Sequence, residues 1–423
     1  MGQSKIIRAN RARMRKEFDA QSKIGCVERT GLVRIAFTPE YNQVRKLVQS
    51  WMEAAGLKTR VDAVGNLFGR KEGRVKGLPA VVAGSHLDSQ NPGGRFDGPV
   101  GVLTALEAVR RIVETSSSHD HPLEVVAFVG EESACGIVTF GSSVLAGQLG
   151  PVGMKAALHP PTKKSVYEAV RLAGGNPARA ARCRLSRKSL KAFLELHIEQ
   201  GPVLEAARVP IGIIDTIVGA LRGDIYFEGQ TAHSGGQPMA YRRDAGMAAA
   251  DFMLEAEGMA RRAPESQRMT LTFGMMSAQP GWYSIVPGGA SISFDLRSKS
   301  GKASETMLDR MKKVLWTIQK KRGVKARLKL KVKYSPCPVS SGVKRVLNRA
   351  VEKVGYGSLT LPSGGIHDAC RIAALCPIGM VFVPSVKGLS HTPEEFTRFS
   401  DIVAGAEVLA SAMLRLADRR VKA

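Results

Sequence analysis

Three apolar runs in the first half of the chain each stop on a residue able to hold a metal ion or move a proton. Pro79 to Gly84 leads into Ser85-His86, Leu123 to Val129 leads into Glu131-Glu132, and Phe193 to Ile198 surrounds His197. Runs of this length, rich in β-branched residues, read as buried strands. Between the first two, Val100 to Thr115 places Val102, Leu106, Val109 and Val113 on one side of a helix. Strand, helix, strand is the order of an α/β sheet, and such sheets bind ligands at the carboxyl ends of their strands.

At 423 residues, 44% of them hydrophobic, the chain exceeds one ordinary core, and two lobes are expected. The texture changes around Pro210. Alternating segments (Ile211 to Val218, Leu221 to Phe227), an Ala-rich helix (Arg242 to Glu255) and strands near Met269 to Met276 and Ala290 to Leu296 form a block of their own. After Pro336-Cys337-Pro338, a helix (Gly342 to Val354), a strand (Ile378 to Val383) and a last helix resume the first pattern; Ser400 is the expected N-cap of that helix, which runs to about Arg415. Residues 1–210 and 337–423 are therefore read as a discontinuous first domain and 211–336 as an insertion.

No stretch approaches the roughly 18 apolar residues of a membrane span. The basic start (Lys5, Arg8, Arg11, Arg13, Arg15, Lys16) has no apolar block behind it, and Gly2 lacks the Ser or Thr that myristoylation requires, Ile6 standing there. The six cysteines form no C-x-x-C pair, which suits a reducing cytoplasm. The net charge of +25 raises the question of nucleic acid. Its densest strand-like run alternates Arg327, Lys329, Lys331 and Lys333 with Leu328, Leu330, Val332 and Tyr334, and without aromatic residues on the basic face it is read as a solvated sheet edge.

His86 and Asp88 alone would be a coincidence of spacing, but Asp97 follows in the glycine-rich bend Gly93-Gly94-Arg95-Phe96-Asp97-Gly98, and Glu131, Glu132, His197 and His391 come from other strand-end segments. Imidazole nitrogens and carboxylate oxygens are the ligands of borderline cations such as zinc, and one Asp shared between two ions would complete a two-metal site. His119, His121 and His159 stand in Ser- or Pro-rich loops and are expected to face solvent.

The segments Gly84-Ser85-His86-Leu87-Asp88, Glu195-Leu196-His197-Ile198-Glu199-Gln200-Gly201-Pro202, Ala232-His233-Ser234-Gly235 and Ser385 to Pro393 with Ser390-His391 resemble the hydantoinase/carbamoylase branch of the di-metal aminoacylase and carboxypeptidase superfamily, over about residues 20 to 415. That branch holds N-carbamoyl-L-amino-acid hydrolases and allantoate amidohydrolases. The resemblance implies a metallopeptidase-like mixed α/β sheet flanked by helices, an inserted α+β lid and dimerisation domain, and a homodimer. It implies two divalent ions (Zn, Mn, Co or Ni), one on His86, Asp97 and His197, the other on Asp97, Glu132 and His391. Asp88 would orient His86, Glu131 would take the proton from an attacking water, and His233 would stabilise the developing oxyanion. The substrate would be a small ureido or amide acid, its carboxylate met by Arg297 and its nitrogen by Gln200, with Ser284, Gly364 and His367 lining the pocket. Arg297 is open to a second reading, an ion pair with Asp295, and His367 to one as a structural residue at a helix start.

Three departures fall on the pocket. Ser284 stands where the family has an asparagine, Ser133-Ala134-Cys135-Gly136 replaces a Gly-x-Arg-Phe segment, and Ile366 replaces a small glycine. A peptidase or aminoacylase of the same superfamily, or a basic protein that binds an acidic partner without catalysis, are the competing functions.

Overall fold

The computed structural model describes residues 6–28 and 31–423; Gly2 and Lys5, and the readings placed on them, lie outside these. The chain divides into two units, one ending at Asp215 and resuming at Val339, the other running from Thr216 to Pro338. The cut falls inside the strand Ile211–Ile217, not in front of it, because Gly212 and Ile213 pair with Phe382 and Val381 of the first unit.

The first unit is built on a mixed sheet whose central strands run in the order Ile378–Val383, Leu190–Ile198, Ala80–His86, Leu123–Phe128 and are parallel to one another. Antiparallel strands extend it, Leu67–Lys71 beside Leu123–Phe128 and Ile211–Ile217 beside Ile378–Val383. All residues of Ala80–His86, Leu123–Phe128 and Ile378–Val383 are buried, as strands covered on both faces must be. The helix Pro99–Glu114 opens with proline in its first turn, where the missing N–H costs nothing, and lies against Ala80–His86 and the C-terminal helix Phe399–Leu416. That last helix begins one residue before Ser400 and is preceded by Arg398 without a side-chain cap, so Ser400 is inside the first turn and not the N-cap.

The second unit is an antiparallel sheet in the order Thr270–Thr272, Gly289–Ser298, Gly219–Glu228, Lys325–Tyr334, with helices Ala245–Arg261 and Gly301–Arg322. Gly289–Ser298 buries alternate residues, and Ile292, Phe294 and Leu296 meet Phe252 and Met311 in one apolar core. The strand expected over Met269 to Met276 is two short strands, Thr270–Thr272 and Met276–Gln279, both paired with Gly289–Ser298. The basic strand Lys325–Tyr334 is the sheet edge, with an exposed face. That face is not bare of aromatics: Tyr226 from the next strand lies under Arg327 at 4.8 Å, and Asp224 beside it pairs with Lys331. Among the described residues no helix is long and apolar enough to cross a membrane, and none of the six cysteines is in a disulfide.

Candidate metal centre

The parallel strands deliver their polar residues to one end of the sheet. His86 ends its strand, Glu131 and Glu132 follow Leu123–Phe128, His197 is the penultimate residue of Leu190–Ile198, and His391 comes from the loop after Ile378–Val383. Asp97 enters from the glycine bend ahead of the helix. Gly98 there has φ +83°, and a Cβ on it would stand 2.4 Å from the His86 ring, so only glycine lets the bend close over that imidazole.

These side chains form overlapping groups whose donor atoms lie within 4.8 Å of one another: His86, Asp97 and His197; Asp97, Glu132 and His391; and His86, Glu131 and Glu132. Asp97 Oδ1 is 3.4 Å from His86 Nε2 and 3.0 Å from His197 Nε2, and Oδ2 is 3.1 Å from His391 Nε2. The other ring nitrogens explain why such a set suits a cation. His86 Nδ1 is 3.1 Å from the Asp88 carbonyl and His197 Nδ1 is 2.9 Å from the Ile198 carbonyl. A carbonyl only accepts, so Nδ1 carries the proton, and Nε2 facing a carboxylate oxygen needs a second proton or a cation between them. The buried atoms His86 Nε2, Glu131 Oε1 and Glu132 Oε1 have no hydrogen-bond partner in the protein. Orphaned donors and acceptors at this density are costly unless a ligand satisfies them, and the residues fit divalent ions.

The electrostatics follow from burial. Burial disfavours charge on Asp97, yet His197, His391 and His86 hold its carboxyl well below the usual range. Burial also opposes protonation of His86, but Asp97, Glu131 and Asp88 hold it well above its ordinary value. Glu131 is pushed well above the carboxylate range by burial, with Glu132 and Asp368 adding to it against His86. Glu132 is raised to about 7 by burial and then by Asp97.

Asp88 works differently from the expectation. Its backbone carbonyl is the atom that meets His86, its Oδ1 lying farther away at 3.7 Å. The carboxylate accepts the backbone N–H groups of Gly130 (3.1 Å), Glu131 (3.3 Å) and Glu132 (3.0 Å), so it aims the acidic doublet. Beneath it Arg34, fully buried, donates to the Leu87 carbonyl at 2.8 Å.

Gln200, in a left-handed backbone conformation (φ +57°), points its amide nitrogen at Asp97 Oδ2, 2.7 Å away, and lies 3.2 Å from His391 Nε2. His367 is buried 4.5 Å from the His197 ring, its Nε2 2.8 Å from Ser363 Oγ, and burial holds its pKa well below the ordinary value. Gly364 is exposed, with nothing within 4 Å of where a Cβ would stand.

Three of the expected residues belong to the second unit. His233 is exposed and its Nδ1 accepts N–H bonds from Gly235 (3.1 Å) and Gly236 (3.0 Å), which puts the proton on Nε2. Ser284 is exposed, its carbonyl receiving the Ser234 N–H across the short pairing of His233 with Ile285. Arg297 is engaged by Asp295 through Nε (3.0 Å) and Nη2 (2.9 Å). The ion pair weighed as its second reading is thus present.

Two histidines expected in solvent are buried: His121 Nδ1 is 2.7 Å from the Pro79 carbonyl, and His159 Nε2 is 3.0 Å from the Ala36 carbonyl. Both are structural hydrogen-bonding residues. Sequence reasoning missed Gln90, which donates to Glu132, and Glu395, which accepts from the Asp97 backbone. Glu395 had a signal, an acidic doublet soon after His391 like the one at Glu131-Glu132. Gln90 had none.

The chain belongs to peptidase family M20/M25/M40, whose family model matches residues 80–415. It is 38% identical over 390 residues to an N-carbamoyl-L-amino acid amidohydrolase of Geobacillus stearothermophilus, covering 92% of this chain and 94% of that one. It is 32% identical over 411 residues to a ureidoglycolate hydrolase of Arabidopsis thaliana, covering 95% and 86%. Among solved structures, an amidase of the hydantoinase/carbamoylase family from Burkholderia multivorans superposes with a TM-score of 0.89 at 33% identity, over 97% of this chain and 98% of that one.

Proposed function

We propose that the protein is a two-metal amidohydrolase that cleaves a non-peptide carbon–nitrogen bond in an N-carbamoyl amino acid or an allantoate-like ureido acid. The observation that carries this is Glu131, buried beside the donor groups with Oε1 unpaired. A carboxylate so placed can take a proton from an attacking water. His86, Asp97 and His197 would hold one divalent ion and Asp97, Glu132 and His391 the other. Such ions, when bound, lower the pKa of water and polarise a carbonyl. The chain's own residues do the rest: Asp88 keeps Glu131 aimed, Glu131 passes the abstracted proton to the leaving nitrogen, and His233 donates from Nε2 to the oxyanion. Arg297 would bind the substrate carboxylate with the guanidinium that meets Asp295, and Gln200, His367, Gly364 and Ser284 would be further substrate contacts, as the family resemblance implies. The identity and coverage of the relatives support the ureido reading. The family resemblance implies a homodimer with the second unit as lid and dimerisation surface, which sedimentation of the purified protein would check, and the cysteines without a C-x-x-C pair suit a cytoplasmic setting.

The test is Glu131→Gln alongside the wild type, assayed on N-carbamoyl, allantoate-like, N-acetyl and dipeptide substrates with Zn, Mn, Co or Ni added back. The variant should retain its metal and lose about 10²–10⁴-fold in turnover. A wild-type protein that takes up no divalent metal would overturn the proposal.

A further inference from the structure

We infer that Glu395 is a positioning residue that ties the Asp97 bend to the His391 loop; the use made of that tie rests on the two-metal reading above. Glu395 is 2% exposed, and both of its oxygens are taken. Oε1 accepts the backbone N–H groups of Phe96 (2.8 Å) and Asp97 (3.0 Å), and Oε2 accepts the Ser390 hydroxyl at 2.8 Å. The same hydroxyl lies 3.0 Å from Asp97 Oδ2, so one Ser390 side chain stands between the two carboxylates, next in sequence to His391. The bend closes tightly on this group: a Cβ at Gly94 would stand 2.0 Å from the Glu395 carboxyl carbon.

Glu395 belongs to none of the donor groups around Asp97, and its contacts run to amides and a hydroxyl rather than into the cluster. It therefore acts through Asp97 and His391. Asp97 is the carboxylate the two groups share, and His391 is the ligand contributed by an exposed loop with a left-handed backbone (φ +58°). Without the tie, the two side chains would still meet at Gln200, but the backbone of the bend would lose its link to the His391 loop through a buried carboxylate. With it, both are referred to one buried carboxylate. Glutamine can keep this geometry, its carbonyl accepting the two amides and its NH₂ donating to Ser390 Oγ. Alanine cannot, and leaves two buried N–H groups without an acceptor.

The experiment compares Glu395→Ala and Glu395→Gln with the wild type. Hydrogen exchange is followed by mass spectrometry on the metal-free proteins, Zn²⁺ and Mn²⁺ binding by calorimetry, and kcat and KM on whichever substrate the panel identifies. Glu395→Ala should speed exchange in residues 93–98 and 386–396 together, weaken metal binding by about 10–100-fold and lower kcat more than it raises KM. Glu395→Gln should restore protection in both segments and most of the affinity. Faster exchange in only one segment, or a glutamine variant indistinguishable from alanine, would overturn the assignment. A wild type that takes up no metal would sink the two-metal reading, while the exchange comparison would still decide the tie.

Discussion

His86 and His197 of the first unit and His233 of the second carry their protons on opposite ring nitrogens. His86 and His197 donate from Nδ1 to backbone carbonyls and turn Nε2 toward Asp97. His233 receives two backbone N–H groups on Nδ1 and presents Nε2–H outward from an exposed turn. The backbone around each ring, not the ring itself, decides whether it offers a lone pair or a proton. A strand end supplies carbonyls and leaves Nε2 its lone pair, whereas a Ser-Gly-Gly turn supplies amides and leaves Nε2 its proton.

The largest effect should come from removing a lone-pair histidine. His197→Ala is expected to lose at least one metal equivalent, read by inductively coupled plasma mass spectrometry, and at least about 10³-fold in kcat, since ions held as proposed would contribute several kcal/mol to the transition state. The donor histidine should behave differently: His233→Ala should keep its full metal content and lose about 10²–10³-fold in kcat. Metal loss in His233→Ala would break the contrast. A third test uses His391, whose pKa is raised to about 9, chiefly by its hydrogen bond to Asp97. A raised folded value stabilises the fold fully below the ordinary pKa of about 6.5, and that contribution is lost as pH rises through about 9. Thermal melts in chelator should therefore fall across this window for the wild type and flatten in His391→Ala. The smallest effect belongs to the second unit's exposed strand, where Lys333 pairs with Glu305, both side chains 57% exposed. Lys333→Ala should move stability by less than about 1 kcal/mol, measured by urea denaturation.

The site was legible to the extent that each candidate ligand follows an apolar run or sits in a short motif, so that the strand order brings His86, Glu132 and His197 to one end of the sheet. What stayed hidden depends on contacts far along the chain. Nothing in Pro393-Glu394-Glu395 says which acid is buried, because the choice is made by amides some 300 residues away in sequence at Phe96 and Asp97. His121 and His159 read as solvated from their Ser- and Pro-rich surroundings, but the carbonyls of Pro79 and Ala36 draw them inside. Arg297 reads equally well as a carboxylate receptor or an ion pair in sequence, since Asp295 two residues earlier on the same strand face satisfies either description. Ser400 failed as a cap for a local reason, the helix starting at Phe399.

Asp88 holds the acidic doublet by its amides and leaves its side chains untouched. A grip on the main chain is indifferent to the side chains it carries, so it fixes the backbone path of the doublet, while the Glu132 side chain is met separately by Gln90, itself bonded to Ser133. Backbone path and side-chain direction are thus set by separate contacts, and a substitution at Ser133 would reach Glu132 through Gln90 while leaving the three amides on Asp88.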